Sequence, residues 1–425
     1  MSVLELVLKT IRRRLKKIFK RPLMKLMFAF AKYYRIVLGV FSDPCCIGVT
    51  GSCGKTMTKE FIAAVFRVRG RVRKSNRLYN GPYFVAQTIF TIFPCHRTCV
   101  HEMGTQEPGL MAKSVDLFHP QIAVVTNIGY DHYSVFRGKE PAAAEKGVLV
   151  ESIPADGAVV LNADDPYVLA MQDRTSAAVI TYGLGDKAMV RGKDISSVWP
   201  DRLSLTVTYG TEEVRVNTRL LGEHWSYCVL AAVAAGIAKD VPLADAAHEI
   251  EKVQPVEGRM SVHETSNGIT FVRDDWKSPF WTVPASLEFM RTARARRRIA
   301  VIGTVSDYPG SASPKYRAIA RQALQACERV FFVGDFAHCS LKARSGPTDN
   351  RIMAFETVSE LNLCLQPYLQ PGDLVLLKGS GRADHLQRLA LAADNDVACW
   401  RQKCTKYIFC TNCSSLRRTS VCIRA

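Results

Sequence analysis

Gly48-Val-Thr-Gly-Ser-Cys-Gly-Lys-Thr56 is the stretch whose reading decides the fold. Cys45-Cys46-Ile47 precedes it, a short apolar lead-in suited to a buried strand. Met57-Thr-Lys-Glu-Phe-Ile-Ala-Ala-Val-Phe66 follows, with apolar residues at helical spacing. Strand, glycine-rich turn, Lys-Thr and helix is the context of a phosphate-binding loop. Its glycines let backbone N–H groups close around phosphate oxygens, and the positive end of the helix points at the same anion. In such a loop Thr50, Gly51, Ser52, Cys53 and Gly54 cradle the nucleotide, Lys55 reaches its β- and γ-phosphates, and Thr56 holds Mg²⁺ through its hydroxyl. Strict spacing asks for Gly at position 49, where Val stands, so this is the variant Thr-Gly-x-x-Gly-Lys-Thr.

Around this loop the 425 residues leave room for two or three domains. A net charge of +18 points to acidic partners: nucleotides, an anionic membrane face or nucleic acid. The excess is concentrated in residues 1–43, where eleven Lys and Arg face the single acid Glu5 before Asp43. Leu4, Leu8, Ile11, Leu15 and Ile18 step by four and three, an amphipathic helix. Lys25, Lys32 and Arg35 break the apolar run that follows, so no uncharged stretch reaches the roughly 18 residues of a spanning helix. Two readings stay open, a helix on an anionic membrane surface and a solvated helix packed on the body. No aromatic–basic module accompanies it, so nucleic acid is not an expected partner. Most of the 14 cysteines are scattered singly in apolar surroundings, and no signal peptide precedes them, as expected of reduced thiols in a cytoplasmic protein.

The expected fold class is α/β. Residues 44–256 alternate strands (122–126, 157–161, 178–181) and helices (141–152, 221–238), which predicts a central phosphate-loop ATPase domain with a mainly parallel sheet. Alternation with turn residues over 203–220 predicts a β-hairpin. Residues 257–400 hold three further apolar strands (298–303, 329–334, 373–378), each ending at Gly or Lys, and predict a second, Rossmann-like α/β domain. Residues 401–425 form a Cys-rich tail. Cys404, Cys410, Cys413 and Cys422 leave open a zinc site or a frayed extension.

Several residues outside the loop carry chemistry. Glu102, in His-Glu-Met-Gly at a strand end, is placed to complete the Mg²⁺ shell begun by Thr56. Asn127-Ile-Gly-Tyr-Asp-His132 follows the next strand and belongs at the same sheet edge, with His132 a candidate second metal ligand. Lys146 lies on the following helix, where alone it reads as a solvated lysine.

These motifs, with Ala143-Ala-Glu-Lys146-Gly147 and Leu161-Asn-Ala-Asp-Asp-Pro166 in that order, resemble the Mur ligase family of ATP-dependent ligases. Asn76, Asn80-Gly81, Leu221-Gly-Glu-His224, Gly258-Arg259, Val301-Ile-Gly303 and Lys378-Gly-Ser380 resemble further signatures of its branch that adds D-alanyl-D-alanine. The resemblance spans roughly 44–395. It implies an acid–amino acid ligase using ATP and Mg²⁺, with a carboxylate attacking the γ-phosphate and an amine attacking the resulting acyl phosphate. It implies Lys55, Thr56, Glu102 and His132 around phosphates and metals, Lys146 as a metal ligand if carbamylated, and Arg259 and Lys378 as cations from the second domain. His224 and Asn127 join the nucleotide site.

Four departures bear on function. Cys53 stands where the family has Asn, and Trp225 and Cys228 replace the asparagines that normally recognise adenine, leaving Trp225 as a candidate stacking partner. Asp274-Asp275-Trp276-Lys277-Ser278-Pro279 replaces the closest branch's Asp-x-Tyr-Asn-x-Asn-Pro; Asp275 and Lys277 then either contact the amine or acyl phosphate, or form a buried ion pair. Only about 47 residues precede the loop where the family has a UDP-sugar domain. The expectation is therefore an ATP-dependent carboxylate–amine ligase on an unnamed small-molecule or peptide acid. The alternatives are a D-alanyl-D-alanine-adding peptidoglycan precursor ligase and a degenerate nucleotide-binding regulator.

Overall fold

The computed structural model describes residues 3–76, 80–402, 404, 406 and 408–416, with side chains from residue 22 onward. The apolar stripe Leu4 to Ile18 and Cys422 therefore lie outside the described side chains. Residues 3–41 form one helix, Val3–Phe41, which continues through Pro22.

Nine strands build the first sheet: β1 (Cys45–Thr50), β2 (Val72–Lys74), β3 (Thr98–Glu102), β4 (Ile122–Val125), β5 (Ala158–Asn162), β6 (Ala178–Gly183), β7 (Val190–Ser196), β8 (Ser204–Tyr209) and β9 (Glu212–Asn217). Their order is β2-β3-β1-β4-β5-β6-β7-β8-β9. The sheet is parallel up to β7 and antiparallel beyond it. β1 is Cys-Cys-Ile-Gly-Val-Thr, apolar almost throughout because both faces of a central parallel strand are covered. One face packs Phe61, Ile62 and Val65 of helix Lys55–Val65 against the Ala-rich helix Ser226–Ile237, and the other packs Met111, Phe118 and Leu149. Strands β3 and β4 flank β1 although β2 follows β1 in the chain. The order thus reverses at β1, and the loops leaving its carboxyl end open into a crevice.

Six strands form the second sheet: β10 (Ser261–Glu264), β11 (Thr270–Asp274), β12 (Arg297–Ile302), β13 (Arg329–Val333), β14 (Ile352–Phe355) and β15 (Asp373–Lys378), in the order β10-β11-β15-β12-β13-β14. Only β10 runs antiparallel. The mixed α/β class with two mainly parallel sheets agrees with the sequence reading. The hairpin is there, turning at Gly210 with φ of 58°. The helix expected from Leu221 opens instead as a 3₁₀ turn, Glu223–Trp225, because Gly222 at φ 99° precedes it.

Candidate active site

The loop after β1 is shaped by two glycines. Gly51 has φ of 136°, and a Cβ there would sit 1.9 Å from Thr126 Oγ1; Gly54 has φ of 81° and touches Cys228 Sγ. Side chains from the neighbouring strands brace the loop. Asn127 Oδ1 accepts from Cys53 N at 2.9 Å, Thr126 Oγ1 donates to Cys53 O at 2.6 Å, and Ser52 Oγ accepts from Gly129 N at 2.9 Å. Lys55 is 8% exposed, and its Nζ donates to Gly51 O at 2.6 Å. The amine is thereby folded back over the loop's mouth.

Glu102 ends β3 beside this loop. Its Oε2 accepts from Thr56 Oγ1 at 2.8 Å and its Oε1 from Asn80 Nδ2 at 3.0 Å. Burial pushes the Glu102 carboxyl up, but Lys55, Lys59 and these hydrogen bonds outweigh it and hold it below the usual carboxylate range. A hydroxyl and an ionised carboxylate drawn to one point are hard oxygen donors suited to Mg²⁺, whose remaining positions phosphates and water fill. The residues present fit that ion. Glu102→Gln is expected to raise the Mg²⁺ concentration for half-maximal ADP release about tenfold or more while leaving the protein folded; an unchanged Mg²⁺ titration would remove Glu102 from the site.

Asp131 is the hub that the sequence reading passed over. Its carboxylate lies 3.9 Å from Lys55, 3.6 Å from Lys146 and 3.6 Å from His132. Burial pushes Asp131 up, yet Lys55, Lys277, Lys146 and His132 together hold it down at about 2. Lys146 is not the solvated lysine its helix position predicts: it is 1% exposed, and burial, with Lys55 and Lys277 nearby, lowers its ammonium to about 8. His132 sits in left-handed backbone at φ 50° and is held neutral below its ordinary value, chiefly by burial. As an ammonium Lys146 brings positive charge to this cluster, so a second metal does not fit at His132 and Lys146 in that form.

The second sheet closes the crevice. A cleft of ≈ 370 Å³ runs between the loop and residues Arg259, Asp274, Trp276, Lys277, Trp281 and Lys378. Trp281 lies directly on Gly129, where a Cβ would meet its ring at 2.5 Å. Lys378 ion-pairs with Asp274, which also accepts from Ser286 Oγ at 2.8 Å. His224 and Trp225 line the same cleft, where burial lowers His224 to about 4. Trp225 is 5% exposed, its ring packed on His224 and in the core, with its indole N–H unpartnered. That burial leaves little open face for stacking, so the expected stacking partner is better described as an edge with a free donor.

Two expected site residues are placed elsewhere. Thr50 is fully buried and donates to Met103 O, bracing β1 rather than facing the cleft. Asp275 points away from the cleft into a buried pair with Arg273 at 3.4 Å, and Asp274 is the neighbour that faces inward. Alternation along the strand end decides this, since adjacent side chains take opposite faces. Asp275→Ala is expected to cost about 1–3 kcal/mol of stability by removing one of the two carboxylates paired with the buried Arg273, which Glu257 at 2.9 Å and Gln387 still contact. Turnover should stay within a few-fold, read by thermal melting beside ADP release; a large kcat loss without a melting shift would return Asp275 to the site. In the tail, Cys404, Cys410 and Cys413 line a small cavity with Cys399 and His385. Among the described residues no three of His, Cys, Asp and Glu are gathered so as to hold a metal ion.

Comparison with known proteins agrees with this architecture. The Mur ligase middle domain matches residues 49–236, and the Mur ligase glutamate ligase domain matches 258–381. The UDP-N-acetylmuramoyl-tripeptide–D-alanyl-D-alanine ligase of Mycobacterium leprae is 27% identical over 365 residues, covering 79% of this chain and 70% of that protein. The Synechocystis enzyme of the same name is 28% identical over 338 residues, covering 79% and 71%. Among solved structures, MurF from Acinetobacter baumannii superposes with a TM-score of 0.78 at 20% identity over 87% of this chain and 80% of its own. MurF ligase from Thermotoga maritima in complex with ADP gives 0.75 at 20% identity, over 87% and 83%. With two successive domains of one family matched across both sheets, the chain belongs to the Mur ligase family, ATP-dependent ligases that join a carboxylate to an amine and release ADP.

Proposed function

We propose that the cleft between the two sheets holds ATP against the first and activates a carboxylate for capture by an amine delivered from the second. The observation that carries this is the facing of Lys55 and the Thr56–Glu102 pair by Lys277, Arg259 and the Asp274–Lys378 pair across one cleft. The loop N–H groups and Lys55 bind the phosphates. Thr56 and Glu102 would hold Mg²⁺, which neutralises phosphate charge when bound. A carboxylate oxygen of the acid attacks the γ-phosphorus, and the bridging oxygen leaves on ADP with its electron pair. Lys55, Lys277 and Arg259 supply positive charge where negative charge gathers on the transferring phosphoryl group. The amine nitrogen then attacks the acyl carbon, loses a proton, and inorganic phosphate departs. His132, neutral and beside Asp131, is suited to take that proton. Asn127 and Cys53 act through the backbone shape of the loop, and His224 and Trp225 through the nucleotide end of the cleft.

For substrates, the reading favoured by the relatives' names is UDP-N-acetylmuramoyl tripeptide as acid and D-alanyl-D-alanine as amine. This reading places the reaction in the cytoplasm, where ATP is supplied. The test mixes protein, ATP, Mg²⁺ and bicarbonate with this pair and with pools of other acids and amines, scoring ADP and new amide mass. Product from the named pair alone confirms the substrates. Product only from another pair keeps the ligase and replaces them, and ATP binding without turnover from any pair would restore the regulator alternative.

A further inference from the structure

We propose that the outward face of helix Val3–Phe41 is a docking surface for an anionic lipid bilayer. From residue 22 onward the helix has two unlike apolar faces. One is packed on the body: Ala31 and Leu38 are buried against Val85, Ala86 and Ile89, and Tyr34 Oη donates to Ile92 O at 2.6 Å. The opposite face presents Leu23, Leu26, Phe30, Tyr33, Ile36 and Val40, which are 54% to 78% exposed. Steps of three and four place these side chains in one stripe along the helix. Six large apolar side chains in a row, backed by a helix face that is already packed, are not needed for the core and mark a contact surface.

Charge selects the occupant. Lys9, Arg12, Arg13, Arg14, Lys16, Lys17, Lys20 and Arg21 lie on the same helix just ahead of the stripe, against the single acid Glu5. A second copy laid along this face brings no counter-charge to these cations, whereas anionic headgroups neutralise them. Lys32 is tied to Asp116 of helix Leu110–Phe118 at 2.7 Å, and Arg35 to Asp43 in the link after the helix at 3.3 Å, so both are turned to the body side and leave the stripe facing out. Among the described residues no helix is long and apolar enough to cross a membrane. At 39 residues, or about 58 Å, the helix lies along the interface, with aromatic and aliphatic side chains at the acyl boundary and cations at the headgroups.

The test is sedimentation of the full chain with vesicles of phosphatidylcholine alone or with about one-third phosphatidylglycerol. Binding is expected to the anionic vesicles, at least tenfold weaker to neutral ones and in about 0.5 M salt. Leu26→Glu, Phe30→Glu and Tyr33→Glu together should lower binding at least tenfold while nucleotide turnover is kept, since none of the three touches the cleft. Arg12→Glu, Arg13→Glu and Lys16→Glu form a second variant, which reverses charge ahead of the stripe, with the same expected loss. Wild type left in the supernatant, or variants that bind as wild type does, would overturn the proposal. So would a concentration-dependent dimer abolished by the apolar-face variant, which would assign the stripe to a second copy. Vesicle binding is read separately from ADP release, so failure of the docking surface and failure of the ligase reading are distinguishable.

Discussion

Lys55→Ala is expected to lower substrate-dependent ADP release by about 10³-fold or more, a loss of about 4 kcal/mol of transition-state stabilisation. The magnitude follows from where the amine sits. It is almost wholly enclosed, held over the loop by Gly51 O at 2.6 Å and Ser52 O at 3.3 Å. With so little water around it, its charge acts on the phosphates in a medium of lowered dielectric. No other loop residue supplies a cation. The fold should survive, because Asp131 keeps Lys146 as its neighbour at 3.6 Å. Steady-state kinetics with a melting curve for each protein decides the point. A loss below tenfold with an unchanged melting curve would mean that the phosphates are held elsewhere.

Lys146→Met is expected to cost about 10²–10³-fold in turnover, and the wild type should lose activity on removal of dissolved CO₂ and regain it with bicarbonate. The reason is the depressed ammonium. Lowered to about 8, the Lys146 ammonium gives up its proton far more readily near neutral pH than an exposed lysine does. A neutral buried amine attacks CO₂ at carbon, releases one proton and becomes a carbamate, changing the site from cation to anion. Beside Asp131 and neutral His132, that anion would turn the cluster from one that repels a metal into one that holds it. Recovery after CO₂ removal should therefore be faster at higher pH. The same shift has a sign for stability. The folded value lies below the unfolded 10.5, so burying the protonated lysine costs stability throughout the region below about 8, and the cost is relieved as pH rises from about 8 to 10.5. Turnover indifferent to CO₂, with Lys146→Met lowering only the melting temperature, would make Lys146 a structural counter-ion of Asp131.

Much of the site was legible because phosphate chemistry demands local patterns. The loop, Thr56 and Glu102 follow from residue types at strand ends, and the structure puts Thr56 and Glu102 in contact at 2.8 Å. Asp131 was missed although it stands beside His132, since a lone Asp in a loop carries no periodic signal; its meaning comes from Lys55 and Lys146, which converge on it from two separate helices. Asp275 and Thr50 were placed at the site by motif position, and side-chain direction sends each elsewhere.

What the sequence by itself determined is the α/β class, the strand–loop–helix that binds phosphate, and the basic character of the first forty residues. These rest on spacing and composition, which are properties of the chain read in order. Only the tertiary structure decided which of Asp274 and Asp275 faces the cleft, that Lys146 is buried beside Asp131, and that the N-terminal helix turns its second apolar face outward. Each depends on which elements pack together, because burial, lowered dielectric and the choice of helix face come from neighbours distant in sequence.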